Sequence, residues 1–210
     1  MWVKICGITS PEDALLAVSA GADAIGLNFV PASKRCISVS RARAIREAVG
    51  SRAEVVGVVA DLEEPALREL LTETGVDTLQ LHGHEPPSLL ERLLPHAFKV
   101  IHVACPEDVQ QARGYPGEML LVDTKVDGQL GGSGRSFDWP LVRELAGQRR
   151  IVVAGGLTVD NVGEAVRLIA PWGVDVASGT EEGGDPRRKH PALVASFIQR
   201  AREAEQLNRS

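Results

Sequence analysis

What most constrains this chain is a recurrence: short, apolar, largely β-branched runs that each stop at a small or polar residue and each lead into a helix-forming stretch. Val3-Lys4-Ile5-Cys6-Gly7 opens the series, and Gly21-Ala22-Asp23 followed by Ala24-Ile25-Gly26-Leu27-Asn28-Phe29 repeats its logic. Gly75-Val76-Asp77 before Thr78-Leu79-Gln80-Leu81 repeats it again. Further strands are expected over 54–60, 98–103, 119–122, 151–154 and 174–177, with helices over 11–19, 40–49, 65–74, 86–94, 107–113, 139–146, 160–169 and 192–204. Ser10 at an N-cap, Pro11 behind it and Asp13 as a capping-box acid mark the first helix start.

This makes about eight strand-then-helix units. The strands are apolar nearly throughout, as in a parallel sheet covered on both faces. Eight units favour closure into an α/β (βα)8 barrel, and an open doubly wound sheet is the competing architecture. The 210 residues, 44% hydrophobic and 24% charged, suffice for one sizeable core, so a single domain over 1–210 is expected. Residues 202–210 read as a charged, frayed end.

The net charge of -5 offers no global field for nucleic acid or an anionic membrane, so an anionic ligand must be gripped locally. No apolar segment approaches the roughly 18 residues of a membrane span, and no export signal opens the chain. The three cysteines, Cys6, Cys36 and Cys105, have neither zinc nor CxxC spacing, which points to a reducing, cytoplasmic setting. No metal or cofactor is implied. Monomer and homodimer stay equally open.

In a (βα)8 barrel the chemistry gathers at the C-terminal ends of the strands. Those ends carry Cys6, Asn28, His82, Asp123, Gly155-Gly156 and Ser178-Gly179. Cys6 reads either as a small buried apolar residue or as a base, with Lys4 on the same strand face and placed to lower its pKa. Asp123 reads as an acid whose pKa burial would raise, or as a structural acceptor of loop N–H groups. Thiol and carboxyl together would suit proton transfer beside a carbonyl or imine. Each Gly-Gly or Ser-Gly loop serves equally as a tight turn. Two on consecutive units favour a phosphate grip made of backbone N–H groups. Arg35 is a solvated loop charge or a two-pronged carboxylate ligand. Asp175 orients substrate or accepts loop N–H groups. His82 and His102 read as hydrogen-bonded structural residues, Cys36 and Cys105 as bystanders, and 128–134 as a lid beside Asp123.

An ordered set of segments carries a resemblance. Val3-Lys4-Ile5-Cys6-Gly7-Ile8-Thr9, Ser33-Lys34-Arg35, Gln80-Leu81-His82-Gly83 and Leu121-Val122-Asp123-Thr124 come first. Gly131-Gly132-Ser133-Gly134 with Phe137-Asp138-Trp139, Ala154-Gly155-Gly156-Leu157 and Val174-Asp175-Val176-Ala177-Ser178-Gly179 follow. Together they resemble the phosphoribosylanthranilate isomerases of tryptophan biosynthesis over nearly the whole chain. The resemblance implies a cofactor-free Amadori rearrangement of N-(5'-phosphoribosyl)anthranilate to 1-(2-carboxyphenylamino)-1-deoxyribulose 5-phosphate. In its terms Asp123 is the general acid, Cys6 the general base and Arg35 the holder of the anthranilate carboxylate. Gly155, Gly156, Ser178 and Gly179 form the phosphate grip, and Asp175 is a further site residue. Cys36 stands where the family places an aromatic residue, and the segment 180–190 departs from its proline-glycine-lysine-aspartate run.

Two rivals are weighed against this. A histidine-pathway phosphosugar isomerase shares the barrel and the chemistry but uses an aspartate base, which Cys6 argues against. A barrel that only binds a phosphorylated ligand would have no need of both a thiol and a carboxyl at its strand ends.

Overall fold

The apolar runs become strands because alternate side chains have two different surfaces to bury against. The computed structural model describes residues 1–103, 105–123, 139–183 and 185–209. It contains β1 (Trp2–Cys6), α1 (Pro11–Ser19), β2 (Ala24–Asn28), α2 (Val39–Val49), β3 (Glu54–Val59), α3 (Glu64–Thr74), β4 (Thr78–Leu81) and α4 (Pro87–Leu93). There follow β5 (Ala97–His102), α5 (Pro106–Arg113), β6 (Met119–Asp123), α6 (Trp139–Ala146), β7 (Arg150–Ala154), α7 (Val162–Ile169), β8 (Gly173–Val176), β9 (Glu181–Glu182), β10 (Asp185–Lys189) and α8 (Pro191–Arg209).

Strands β1 to β8 pair in chain order, and β1 closes the ring on β8 in parallel register, Lys4 opposite Asp175. That closure excludes the open sheet. Residues of one parity, such as Val3, Ile5, Ile25, Leu27 and Val55, pack outward with Ala14, Ala17, Ile45, Val166 and Phe197 of the helices. Residues of the other parity fill the bore: Ala24, Val56, Phe98, Val100, Leu121, Val152 and Ala154, with Trp2 and Met119 against them. The bore is apolar toward the N-terminal ends of the strands. Toward the C-terminal ends the same parity brings in Lys4, Cys6, Gln80, His102, Asp123 and Asp175.

Several local expectations change. Ser10 caps α1 by accepting from the Asp13 amide at 3.1 Å, but the Asp13 carboxylate does not complete a capping box. It accepts instead from the Lys189 amide at 3.2 Å, tying α1 to the β9–β10 hairpin. That antiparallel hairpin occupies much of the divergent segment 180–190 and has no counterpart in the expected element list. Helix α7 starts at Val162 rather than at 160 because Asn161 is engaged in a turn, accepting from the Thr158 amide at 2.7 Å and donating to the Gly156 carbonyl at 3.0 Å. Helix α8 continues to Arg209 where fraying was expected, since it packs along α7 and Asn208 donates to the Val166 carbonyl at 3.0 Å. Thr124, the 128–134 loop read as a lid, Phe137 and Asp138 lie outside the described residues. Among the described residues no helix is long and apolar enough to cross a membrane.

Candidate active site

The seam between β1 and β8 builds one side of the site. The Lys4 Nζ donates to Asp175 Oδ1 at 2.9 Å, and both side chains are buried. Two residues further along the same face stands Cys6, with Gly26 of β2 beside it, where an added Cβ would come within 2.7 Å of the thiol sulfur. Burial works against the Lys4 ammonium, yet the Asp175 carboxylate and the Cys6 thiolate outweigh it and hold the amine above its ordinary range. For Cys6 burial wins: the thiol is pushed up, although Lys4 and Lys189 both pull it down. The expected influence of Lys4 is therefore present in sign but is overruled by desolvation.

Lys189 is a component that sequence reading missed. Its ammonium donates to the Ala177 carbonyl at 2.8 Å and lies 3.7 Å from Glu181 Oε1, with burial driving its pKa down. In sequence it sits within a charged run, and only the hairpin turns it inward.

A second group forms at the ends of β4, β5 and β6. Asp123 ends β6, paired in register with His102 of β5, and its side chain is 17% exposed. His82 Nε2 stands 3.9 Å from Asp123 Oδ2, and the rings of His82 and His102 are 5.5 Å apart. The His82 pKa is lowered, chiefly by burial and against the pull of Asp123, so the imidazole is neutral near pH 7. Gln80, buried below it, places its amide nitrogen 3.2 Å from His82 Nδ1. His82 thus stands beside Asp123 at the barrel mouth as well as against Gln80. Its loop is clamped from behind by Lys99, which bonds the Leu81 and Gly83 carbonyls and the Glu85 carboxylate at 3.1, 2.7 and 3.0 Å.

Arg35 comes in from the loop after β2. Its side chain crosses the end of β1 directly over Gly7, whose φ of +76° and lack of a Cβ permit both the turn and the approach. Its Nε bonds Glu181 Oε1 at 2.5 Å, so Arg35 is drawn into the site and is not a solvated loop charge. The loops after β7 and β8 meet: Thr158 pairs with Gly179, and any Cβ on Gly179 would strike the Leu157 carbonyl. Gly155 and Gly156 turn at φ values of +93° and +68° just before this contact. Ser178 lies exposed beside it. Cys6, Asp175, Arg35 and the two glycine loops thus adjoin one another around the seam, while Asp123 is set off from β1 by β7 and β8. Among the described residues no cluster of three or more His, Cys, Asp or Glu side chains is placed to hold a metal ion.

A closed (βα)8 barrel with a thiol, a carboxyl and imidazoles at its strand ends is a barrel equipped for acid–base chemistry. Comparison with known proteins narrows this class. Residues 3–200 match the family described as N-(5'phosphoribosyl)anthranilate (PRA) isomerase, and the chain belongs to that family. An N-(5'-phosphoribosyl)anthranilate isomerase of Desulforudis audaxviator is 40% identical over 204 residues, covering 96% of this chain and 98% of that protein. The crystal structure of phosphoribosyl anthranilate isomerase from Thermotoga maritima superposes with a TM-score of 0.86 at 36% identity, covering 97% of this chain and 99% of that one. A further crystal structure, of the isomerase in complex with reduced 1-(o-carboxyphenylamino)-1-deoxyribulose 5-phosphate, superposes with a TM-score of 0.84 at 32% identity over 97% and 99% of the two chains.

Proposed function

We propose that this chain isomerises N-(5'-phosphoribosyl)anthranilate to 1-(2-carboxyphenylamino)-1-deoxyribulose 5-phosphate in tryptophan biosynthesis, with Asp123 as general acid and Cys6 as general base. The observation that carries the reading is the arrival of one thiol and one carboxyl at strand ends of a single barrel mouth, in a chain of this family.

Asp123 protonates the furanose ring oxygen, and the ring opens to the protonated Schiff base. The Cys6 thiolate then removes the proton at C2', giving an enolamine that tautomerises to the ketone. Substrate and product have the same composition, so no oxidant, reductant or cofactor is consumed. Deprotonation is the demanding step for this thiol, because burial disfavours its charged form. Lys4 and Lys189 offset part of that penalty at the seam. A thiolate whose conjugate acid is weak is in turn a strong base toward carbon.

His82, whose Nε2 stands 3.9 Å from Asp123 Oδ2, is placed to steady the carboxylate after it has given up its proton. Arg35 holds the anthranilate carboxylate, Asp175 keeps Lys4 in place beneath the thiol, and the paired loops at Gly155-Gly156 and Ser178-Gly179 take the 5'-phosphate through backbone N–H groups. The reading includes a cytoplasmic setting, consistent with three cysteines that are all free.

The test follows the loss of fluorescence of freshly prepared phosphoribosylanthranilate, with Cys6→Ala and Asp123→Ala measured beside the parent. Turnover by the parent and its collapse in both variants is the expected result. Turnover that survives either substitution refutes the assigned roles, and a parent without turnover refutes the activity.

A further inference from the structure

The β9–β10 hairpin is what grips the segment carrying Arg35. Three contacts make that grip. Glu181 Oε1 accepts from Arg35 Nε at 2.5 Å. Arg187 Nη1 donates to the carbonyls of Lys34 and Cys36, the two neighbours of Arg35, at 3.3 Å each. The Thr9 hydroxyl donates to the Arg187 carbonyl at 2.6 Å, fastening the hairpin to the loop after β1. Both the guanidinium and the backbone that bears it are therefore fixed from one element.

A guanidinium has two edges able to bond a carboxylate through parallel N–H groups, one using Nε and one using only the two Nη nitrogens. Glu181 occupies the Nε edge. Among the described residues neither Nη nitrogen of Arg35 makes a hydrogen bond. The arginine is thus held by one edge and offers the other. Its stem is confined against Gly7, so rotation away from this pose is blocked on that side.

We infer that Glu181 is a positioning residue that aims the Nη edge of Arg35 at the substrate's ring carboxylate, and that the hairpin thereby sets how strongly the enzyme demands that carboxylate. The inference rests on the proposed role of Arg35. It goes beyond that role by making discrimination for a carboxylated aromatic ring a property of Glu181, a residue that need not touch the ligand. The same acid lies three residues after Ser178 on the loop that leads away from β8, so the grips on the two ends of the substrate are joined through one short segment.

The experiment measures, by calorimetry, binding of reduced 1-(o-carboxyphenylamino)-1-deoxyribulose 5-phosphate and of the matching compound with an unsubstituted aniline ring. The preference ratio between the two is the readout, and thermal unfolding checks that each variant is folded. The parent prefers the carboxylated ligand, and Arg35→Ala erases that preference. Glu181→Ala lowers it about tenfold or more, the scale of a charge-assisted hydrogen bond, without changing affinity for the aniline compound. Glu181→Gln, which keeps an acceptor for Nε, retains most of it. In turnover the Glu181→Ala loss falls chiefly on KM. Should Glu181→Ala keep the full preference while Arg35→Ala loses it, the inference is wrong and the role of Arg35 stands. A preference that survives Arg35→Ala overturns both. If Glu181→Ala does not fold, a full preference loss in Glu181→Gln overturns the idea that accepting from Nε is what matters.

Discussion

Cys6 and Asp123 end two strands of the same barrel mouth in surroundings of opposite kinds. Around Cys6 the seam buries an ion pair, Lys4 with Asp175, and brings in a second buried ammonium from Lys189. Around Asp123 the neighbours are imidazoles, of which His82 is held neutral, and the carboxyl keeps some access to solvent. The difference suits the roles proposed for the two groups. A thiol has to be persuaded to lose its proton in a place that disfavours charge, which requires cations close by. A carboxylic acid that delivers a proton is better served by neutral donors than by ammonium groups that would strip it early.

The largest effects should come from removing the two proposed proton carriers. Cys6→Ala and Asp123→Ala are each expected to lower kcat by roughly 10²- to 10⁴-fold, the usual span for a positioned acid or base. Steady-state kinetics with similar KM values would support the assignment.

Stability should separate the two sides next. Asp175→Ala strands the Lys4 ammonium in the barrel interior and should cost about 3–5 kcal/mol in urea unfolding. The paired change Lys4→Met with Asp175→Leu, which removes both charges, should recover much of that loss. His82→Ala on the other side removes no buried ion and should cost only about 1 kcal/mol. Equal losses on the two sides would break the comparison.

A smaller effect concerns protonation of the thiol. Because the Cys6 pKa lies above its ordinary range, alkylation of Cys6 should rise on a limb alkaline of a free thiol, and kcat/KM should rise with pH through neutrality. Lys4→Met deletes a cation that favours the thiolate, so the limb moves further to alkaline pH. Movement toward neutrality would show that Lys4 has no such influence.

The smallest effect is the pH dependence of stability on the His82 side. Its pKa is lower in the folded protein than the unfolded value of about 6.5. As pH falls through that unfolded value the unfolded chain takes up a proton that the folded one refuses, so stability declines toward the folded pKa. Above about 6.5 both states are neutral and nothing is lost. His82→Gln should flatten the denaturation midpoint between neutral and mildly acidic pH relative to the parent.

Much of the barrel was readable because period-two apolar runs and helix starts such as Ser10-Pro11 are local signals. The strand-end positions of Cys6 and Asp123 follow from the same alternation. The surroundings that tune them are not local. Asp175 lies 171 residues from Lys4 along the chain, and nothing at either position announces the other. Lys189 and Glu181 sit in a segment rich in charge and glycine, which reads as a solvated loop until the hairpin folds it against β1 and the Arg35 loop. A lone histidine carries no spacing signal, so only closure of β4, β5 and β6 side by side reveals the carboxylate neighbour of His82. The capping-box reading of Asp13 failed for a related reason, since a distant backbone amide competes for its oxygens.

The bond between Lys4 and Asp175 has a consequence for when the molecule becomes reactive. It joins the first strand of the ring to the last, so it cannot exist until residues on β8 have been made and docked. Up to that moment the thiol lacks both the completed Lys4 pair and the Lys189 ammonium that follows on β10. The proposed base thus gains its cationic neighbours through the same event that seals the cylinder.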